Sequence, residues 1–186
     1  MSEKMSVKER IVETTARLFY HQGFNNTGIN QIIAEANIAI GSLYNHFKSK
    51  EDLLLNYLEQ EEITFFSNLD LFMKDEQKPE KKLLKFIDYR IQLQKQAGYS
   101  GCHFIKINAE IGRENEKVAT RVINHKQKQR DYLKNLIQSF DSNSNLSKEN
   151  LANIIFLMIE GAVASSSIKG NTQDLEVLRK TILELI

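Results

Sequence analysis

Residues 27–54 read TGINQIIAEANIAIGSLYNHFKSKEDLL. Ile32, Ile33 and Ala36 form one apolar stripe at helical spacing. Asn37 follows, a residue that tolerates the left-handed backbone a helix-turn-helix requires. Ile40 to Phe47 then predicts a second short helix. Leu43 and Phe47, four apart, share a face and anchor it to a core. Ser42, Tyr44, Asn45 and His46 point elsewhere. A two-turn helix with an apolar back and a hydrogen-bonding front suits the major groove of double-helical DNA, which admits one α-helix.

The positions Thr27, Ile32, Ala34, Ala36, Gly41, Leu43, Tyr44, Phe47, Lys50, Glu51 and Leu53, with Leu18-Phe19 and Gly23-Phe24 upstream, carry a resemblance. The segment resembles the DNA-binding domain of the TetR family of transcriptional regulators. It covers the first quarter of the chain; the remainder is similar to the family in length and helical character. The resemblance implies a homodimer, and an aromatic at the Tyr44 position that contacts phosphate. Ala39 and Ile40 depart from the pattern, standing where the family often has Ser and a Lys or Pro. No Arg or Lys lies between Ala39 and Phe47, which predicts a shallower salt dependence of DNA binding than in a lysine-bearing relative.

Among the candidate DNA contacts, Thr27 precedes the second helix as a phosphate contact or a plain cap. Gly41 allows close approach of a DNA strand or of a neighbouring helix. Ser42 and Asn45 are the base readers, since Asn bonds adenine at N6 and N7 together. Tyr44 and His46 suit phosphate. Lys50, a cation in the first turn of the fourth helix, opposes the helix dipole, so a phosphate partner is expected.

The chain has 186 residues, one Pro, eight Gly and a formal net charge of +1. Long helices and no strong global field follow. Residues 1–50 hold six cations against four carboxylates, the rest nineteen against twenty. A single cysteine, Cys102, excludes an intrachain disulfide framework. It reads as a small buried side chain rather than a reactive one. No signal peptide and no apolar run of ~20 residues is evident, so a cytoplasmic protein with no membrane partner is expected. The four histidines are scattered and no Glu-x-x-His pair exists, so no metal or cofactor is expected. No catalytic motif is present.

Capping signals set the helix order. Ser6 and Glu9 form a capping box for a first helix ended by Gly23. Ser49 with Asp52 opens a long fourth helix to about Met73. Pro79 starts a fifth. Ile105, Ile107, Ala109 and Ile111 alternate like a strand, but a lone strand lacks a partner, so a short helix is preferred. A seventh helix covers about Lys117–Phe140. Ser147 and Gly170 bound an eighth, and Asn171 or Thr172 caps the last.

Phe65, Phe86, Tyr89, His103, Phe104, Asn108 and Tyr132 mix aromatic walls with polar groups, the composition of a ligand pocket and equally of a helical core. Arg90, His103 or Glu110 would orient a polar ligand. Ile154, Met158, Gly161, Ala162 and Ser165, with Leu175, Leu178 and Ile182, form two stripes suited to a four-helix dimer interface or to intrachain core.

The fold expected is all-α, with about nine helices. A helix-turn-helix domain over residues 1–47 is joined by a long helix to a ligand-binding and dimerisation domain over 48–186. The function expected is a ligand-responsive homodimeric repressor of a palindromic DNA operator, released by an unknown small-molecule effector. The alternatives are an activator of the same fold, or an all-α carrier or enzyme that does not bind DNA.

Overall fold

The computed structural model describes residues 5–111 and 114–186. Glu3 and Lys4, counted in the N-terminal charge balance, lie outside the described residues. Among these there are nine α-helices and no strand: α1 Val7–Gln22, α2 Ile29–Glu35, α3 Ile40–His46, α4 Lys50–Met73, α5 Pro79–Gln96, α6 His103–Ile111, α7 Glu116–Gln138, α8 Lys148–Lys169 and α9 Gln173–Leu185. They form two compact units. One comprises Met1–Ile63 and His103–Val122, the other Thr64–Cys102 and Ile123–Ile186.

In the first unit, Ser6 accepts the Glu9 N–H and Glu9 accepts the Ser6 N–H at 2.7 Å, closing the expected capping box. Gly23 ends α1 at φ 85°, its N–H donating to Phe19 O. Helices α2 and α3 have seven residues each, too short to persist alone. Burial holds them: Ile11 of α1, Ile32 of α2 and Leu43 of α3 are fully buried, and Phe47 nearly so. Asn37 takes the expected left-handed conformation, φ 51°. Arg10 Nη1 donates to the carbonyls of Ala36 at 3.1 Å and Asn37 at 2.9 Å, fixing this turn to α1.

The alternating isoleucines of α6 resolve as a helix. Phe104 and Ile107 face inward and Ile105 outward, the three-residue offset of a helical face. Asn115 Oδ1 accepts the Val118 N–H, so α7 is capped slightly earlier than expected. It also ends earlier, at Gln138.

In the second unit α8 and α9 pack together and against α5. The Arg179 guanidinium grips Asp88 through Nε at 2.5 Å and Nη2 at 3.0 Å, tying α9 to α5. Asn171 caps α9 through the Gln173 N–H, while Thr172 donates to Glu176.

Helix α8 corrects the expectation that no apolar run reaches membrane-spanning length. It has 22 residues, and its most apolar 18-residue window has a mean hydropathy of 1.7, sufficient in length and composition alone. Two apolar sides explain it. Leu151, Ile155, Phe156, Ile159 and Val163 feed the core of the unit, while Ile154, Leu157, Met158 and Ile168 are exposed.

Asn37→Val should cost about 1–2 kcal/mol, because a β-branched residue resists the left-handed region, whereas Asn37→Gly should be near neutral. Urea denaturation checks this: equal losses in the two variants would mean that the turn depends on the Asn37 side chain rather than its backbone.

Candidate nucleic-acid interface

Helix α3 divides as its sequence pattern requires. Leu43 and Phe47 are buried, while Ile40, 58% exposed, and Tyr44, 49% exposed, stand out with Gly41, Asn45 and His46. Ser42 is half-buried. A Cβ added to Gly41 would meet nothing within 4 Å, so no neighbouring helix demands a glycine there.

Two other residues sit differently from the sequence reading. Thr27 is only 1% exposed, and it is neither a cap nor a free hydroxyl. Its Oγ1 donates to Gly23 O at 2.7 Å and accepts from Gln22 Nε2 at 3.1 Å, and the cap position of α2 falls to Gly28. Lys50 places its ammonium 4.1 Å from the centre of the Phe24 ring. Partial burial holds its pKa below the usual lysine value, opposed by the Glu110 carboxylate. The ring and the carboxylate account for a cation at the start of α4 without phosphate.

Glu110 also reaches the segment after α1. Its carboxylate accepts the Asn25 N–H at 2.8 Å, and its carbonyl accepts from the Asn25 side chain at 3.1 Å. A Cβ on Gly23 would lie 2.7 Å from Glu110 Oε1, so this glycine serves both its φ and this contact. Neither Glu110 nor Arg10 carries a local sequence signal for these roles, because their partners are 85 and 26–27 residues away. An open pocket of about 350 Å³ lies beside Glu110, lined also by Tyr20, Gly23, Tyr57, His103 and Lys106. In it His103 Nδ1 is 2.7 Å from the Tyr57 hydroxyl and 3.3 Å from Glu61.

The seven candidate ligand residues divide between the units. His103, Phe104 and Asn108 belong to the first. The second brings Phe65, Phe86, Tyr89 and Tyr132 together: Phe65 lies 5.4 Å from Tyr89 and 6.4 Å from Phe86, which is 5.7 Å from Tyr132. Burial and the Asp70 carboxylate push the Tyr132 phenol up. Near Phe65 stands His125, whose Nε2 meets Gln129 Nε2 at 2.8 Å. Among the described residues no cluster of metal-ligating side chains occurs.

The candidate interface residues also separate. Leu175, Leu178, Ile182 and Ala162 are buried within the single chain, as the intrachain-core alternative has them. Ser165 donates to Asp174. Ile154, Met158 and Gly161 remain exposed, joined by Leu157, Ile168, Val177 and Leu183.

Residues 11–57 match the bacterial regulatory proteins of the tetR family, and residues 79–182 match the tetracyclin repressor-like C-terminal domain. The chain is 51% identical over 59 residues to an uncharacterised HTH-type transcriptional regulator, YerO, of Bacillus subtilis. That stretch covers 32% of this chain and 19% of YerO. The HTH-type transcriptional repressor DhaR of a Mycobacterium species is 23% identical over 97% of this chain and 92% of its own. A crystal structure of a TetR-family transcriptional regulator from Streptomyces coelicolor has a TM-score of 0.81 at 24% identity, covering 95% of this chain and 90% of that one.

Burial pushes the His125 pKa down to about 3, with Lys126, Arg90 and Lys128 adding to the shift. The unfolded ring titrates near 6.5, so as pH falls the unfolded chain takes the proton first. The stability given by the neutral ring is therefore complete above pH 6.5 and declines from there toward 3, by at most about 1.4 kcal/mol per unit. His125→Gln should flatten the slope of unfolding free energy between pH 6.5 and 5. An unchanged slope would assign the acid sensitivity to another group.

Proposed function

We infer the function from one premise: the chain belongs to the TetR family of bacterial regulatory proteins. It acts as a cytoplasmic, homodimeric, ligand-responsive transcriptional repressor of a palindromic DNA operator. The observation that carries this reading is α3, with Leu43 and Phe47 buried behind an exposed front of Gly41, Tyr44, Asn45 and His46. Residues 1–47 serve as the DNA-binding domain and 48–186 as the ligand-binding and dimerisation domain.

In this reading Asn45 and Ser42 read base edges while Tyr44 and His46 hold phosphate. The open space at Gly41 supports close approach of a strand. Thr27 contributes through its backbone, since its hydroxyl is occupied. Lys50 takes a phosphate as a secondary role beside Phe24. The exposed Ile154, Leu157, Met158 and Gly161 of α8 support a helical interface between two copies, with Val177 and Leu183 of α9 at its margin. The effector lies against Phe65, Phe86, Tyr89 and Tyr132 and shifts the dimer between states that bind DNA differently.

Selection of bound duplexes from a random pool, at a stated salt concentration, tests the reading. An enriched palindrome with half-sites about one helical turn apart is expected. A folded dimer that enriches nothing, with or without ligand extracts, would sink it.

Asn45→Ala should relax discrimination at particular bases by ~1–3 kcal/mol, whereas Tyr44→Phe should weaken binding to all duplexes alike. Equal losses on every sequence would remove Asn45 as a base reader. Lys50→Ala should lower the salt slope by about one if the ammonium also holds a phosphate. An unchanged slope would leave Lys50 a structural residue over Phe24.

A further inference from the structure

Three charged side chains meet inside the second unit. Arg90 of α5 is 4% exposed, and its Nη2 lies 3.6 Å from Glu160 Oε1 of α8, longer than a hydrogen bond. Lys126 of α7 donates to Glu160 Oε2 at 2.5 Å and to Cys102 Sγ at 3.2 Å. Among these three side chains two cations therefore share one carboxylate, a net charge of +1 within the trio. The neighbouring His125 ring is neutral and does not change this balance.

Two buried atoms of the cluster, Arg90 Nε and Glu160 Oε1, hydrogen-bond to nothing among the described residues. A buried polar group left unpaired costs ~1–3 kcal/mol, and more when charged. Lys126 closes on Glu160, so the guanidinium faces that carboxylate without being satisfied by it. The Arg90 guanidinium carbon lies over the Phe65 ring, 5.5 Å from its centre, and Phe65 packs against Tyr89 and Phe66. A planar fork of donors beside aromatic rings matches a carboxylate attached to an apolar body.

We propose that this cluster recognises the effector as a small organic carboxylate with an aromatic or apolar body. Its carboxylate accepts from Arg90, its body lies against Phe65, and Lys126 holds Glu160 aside. The inference rests on the ligand-responsive reading above and adds the chemistry of the ligand.

Calorimetry on the full chain with benzoate and 3-phenylpropionate, each against its neutral amide, tests it. The acids should bind roughly tenfold or more tightly than the amides, the difference of a charge-assisted bond. Glu160→Gln removes the competing carboxylate and should tighten acid binding several-fold. Lys126→Gln frees Glu160 to close on Arg90 and should weaken acid binding while leaving the amides unchanged. Arg90→Gln should abolish the preference for acids. A purely structural ion cluster predicts the opposite for Glu160→Gln, a loss of stability with no gain in affinity. Amides that bind as well as the acids, or acids that do not bind, would overturn the proposal. So would Glu160→Gln and Lys126→Gln variants that leave acid affinity unchanged, or a Lys126→Gln result without the expected weakening should Glu160→Gln not fold. The duplex affinity of the ligand-free protein, measured on the same sample, separates the two readings. Its absence would defeat the regulator reading and leave selection for acids standing.

Discussion

A seven-residue helix cannot hold its own shape in water, because the cost of nucleating a helix exceeds what two turns of hydrogen bonds return. Helix α3 persists because Leu43 and Phe47 are removed from solvent and because the turn before it is fixed. That turn depends on one residue at positive φ, Asn37, and on a guanidinium, Arg10, that binds the two carbonyls around it. Every exposed group of α3 takes its direction from this arrangement. Tyr44, Asn45 and His46 are free to face a partner only because the back of the helix is fully committed.

The same unit places a carboxylate on the segment that leads into α2. Glu110 binds Asn25 through both its side chain and its main chain, and it crowds the space above Gly23. Helix α6 thereby touches the chain a few residues before the proposed reading helices. The pocket beside Glu110, with His103 bonded to Tyr57, belongs to this part of the molecule. The second unit has a different character. Its core is apolar and aromatic, and Arg90, Lys126 and Glu160 stand within it as an incompletely satisfied set of charges. Burying such groups opposes folding unless they are paired, so their presence argues for a role beyond packing.

Helix α8 shows why an apolar helix need not belong to a membrane. One side builds the core with α5 and α9, and the other carries Ile154, Leu157, Met158 and Ile168 into solvent. A helix apolar on both sides has two surfaces to cover, and the single chain covers one.

The sequence alone carries the order of the helices and the division of α3. Capping pairs such as Ser6 with Glu9, the Asn37 turn and the spacing of Leu43 and Phe47 are local, and local geometry follows from residues a few positions apart. It also led to the family through residues that lie close together in the chain. It did not decide which of two buried roles a side chain plays. Thr27, Leu175, Leu178 and Ile182 carry the same pattern whether they face a partner or their own core, and only packing shows that the core takes them. Nor did it place Arg10 on the turn, Glu110 on Asn25 or Arg90 beside Glu160. These partners are brought together by helix packing across 26 to 85 residues of chain, a separation over which sequence periodicity carries no information.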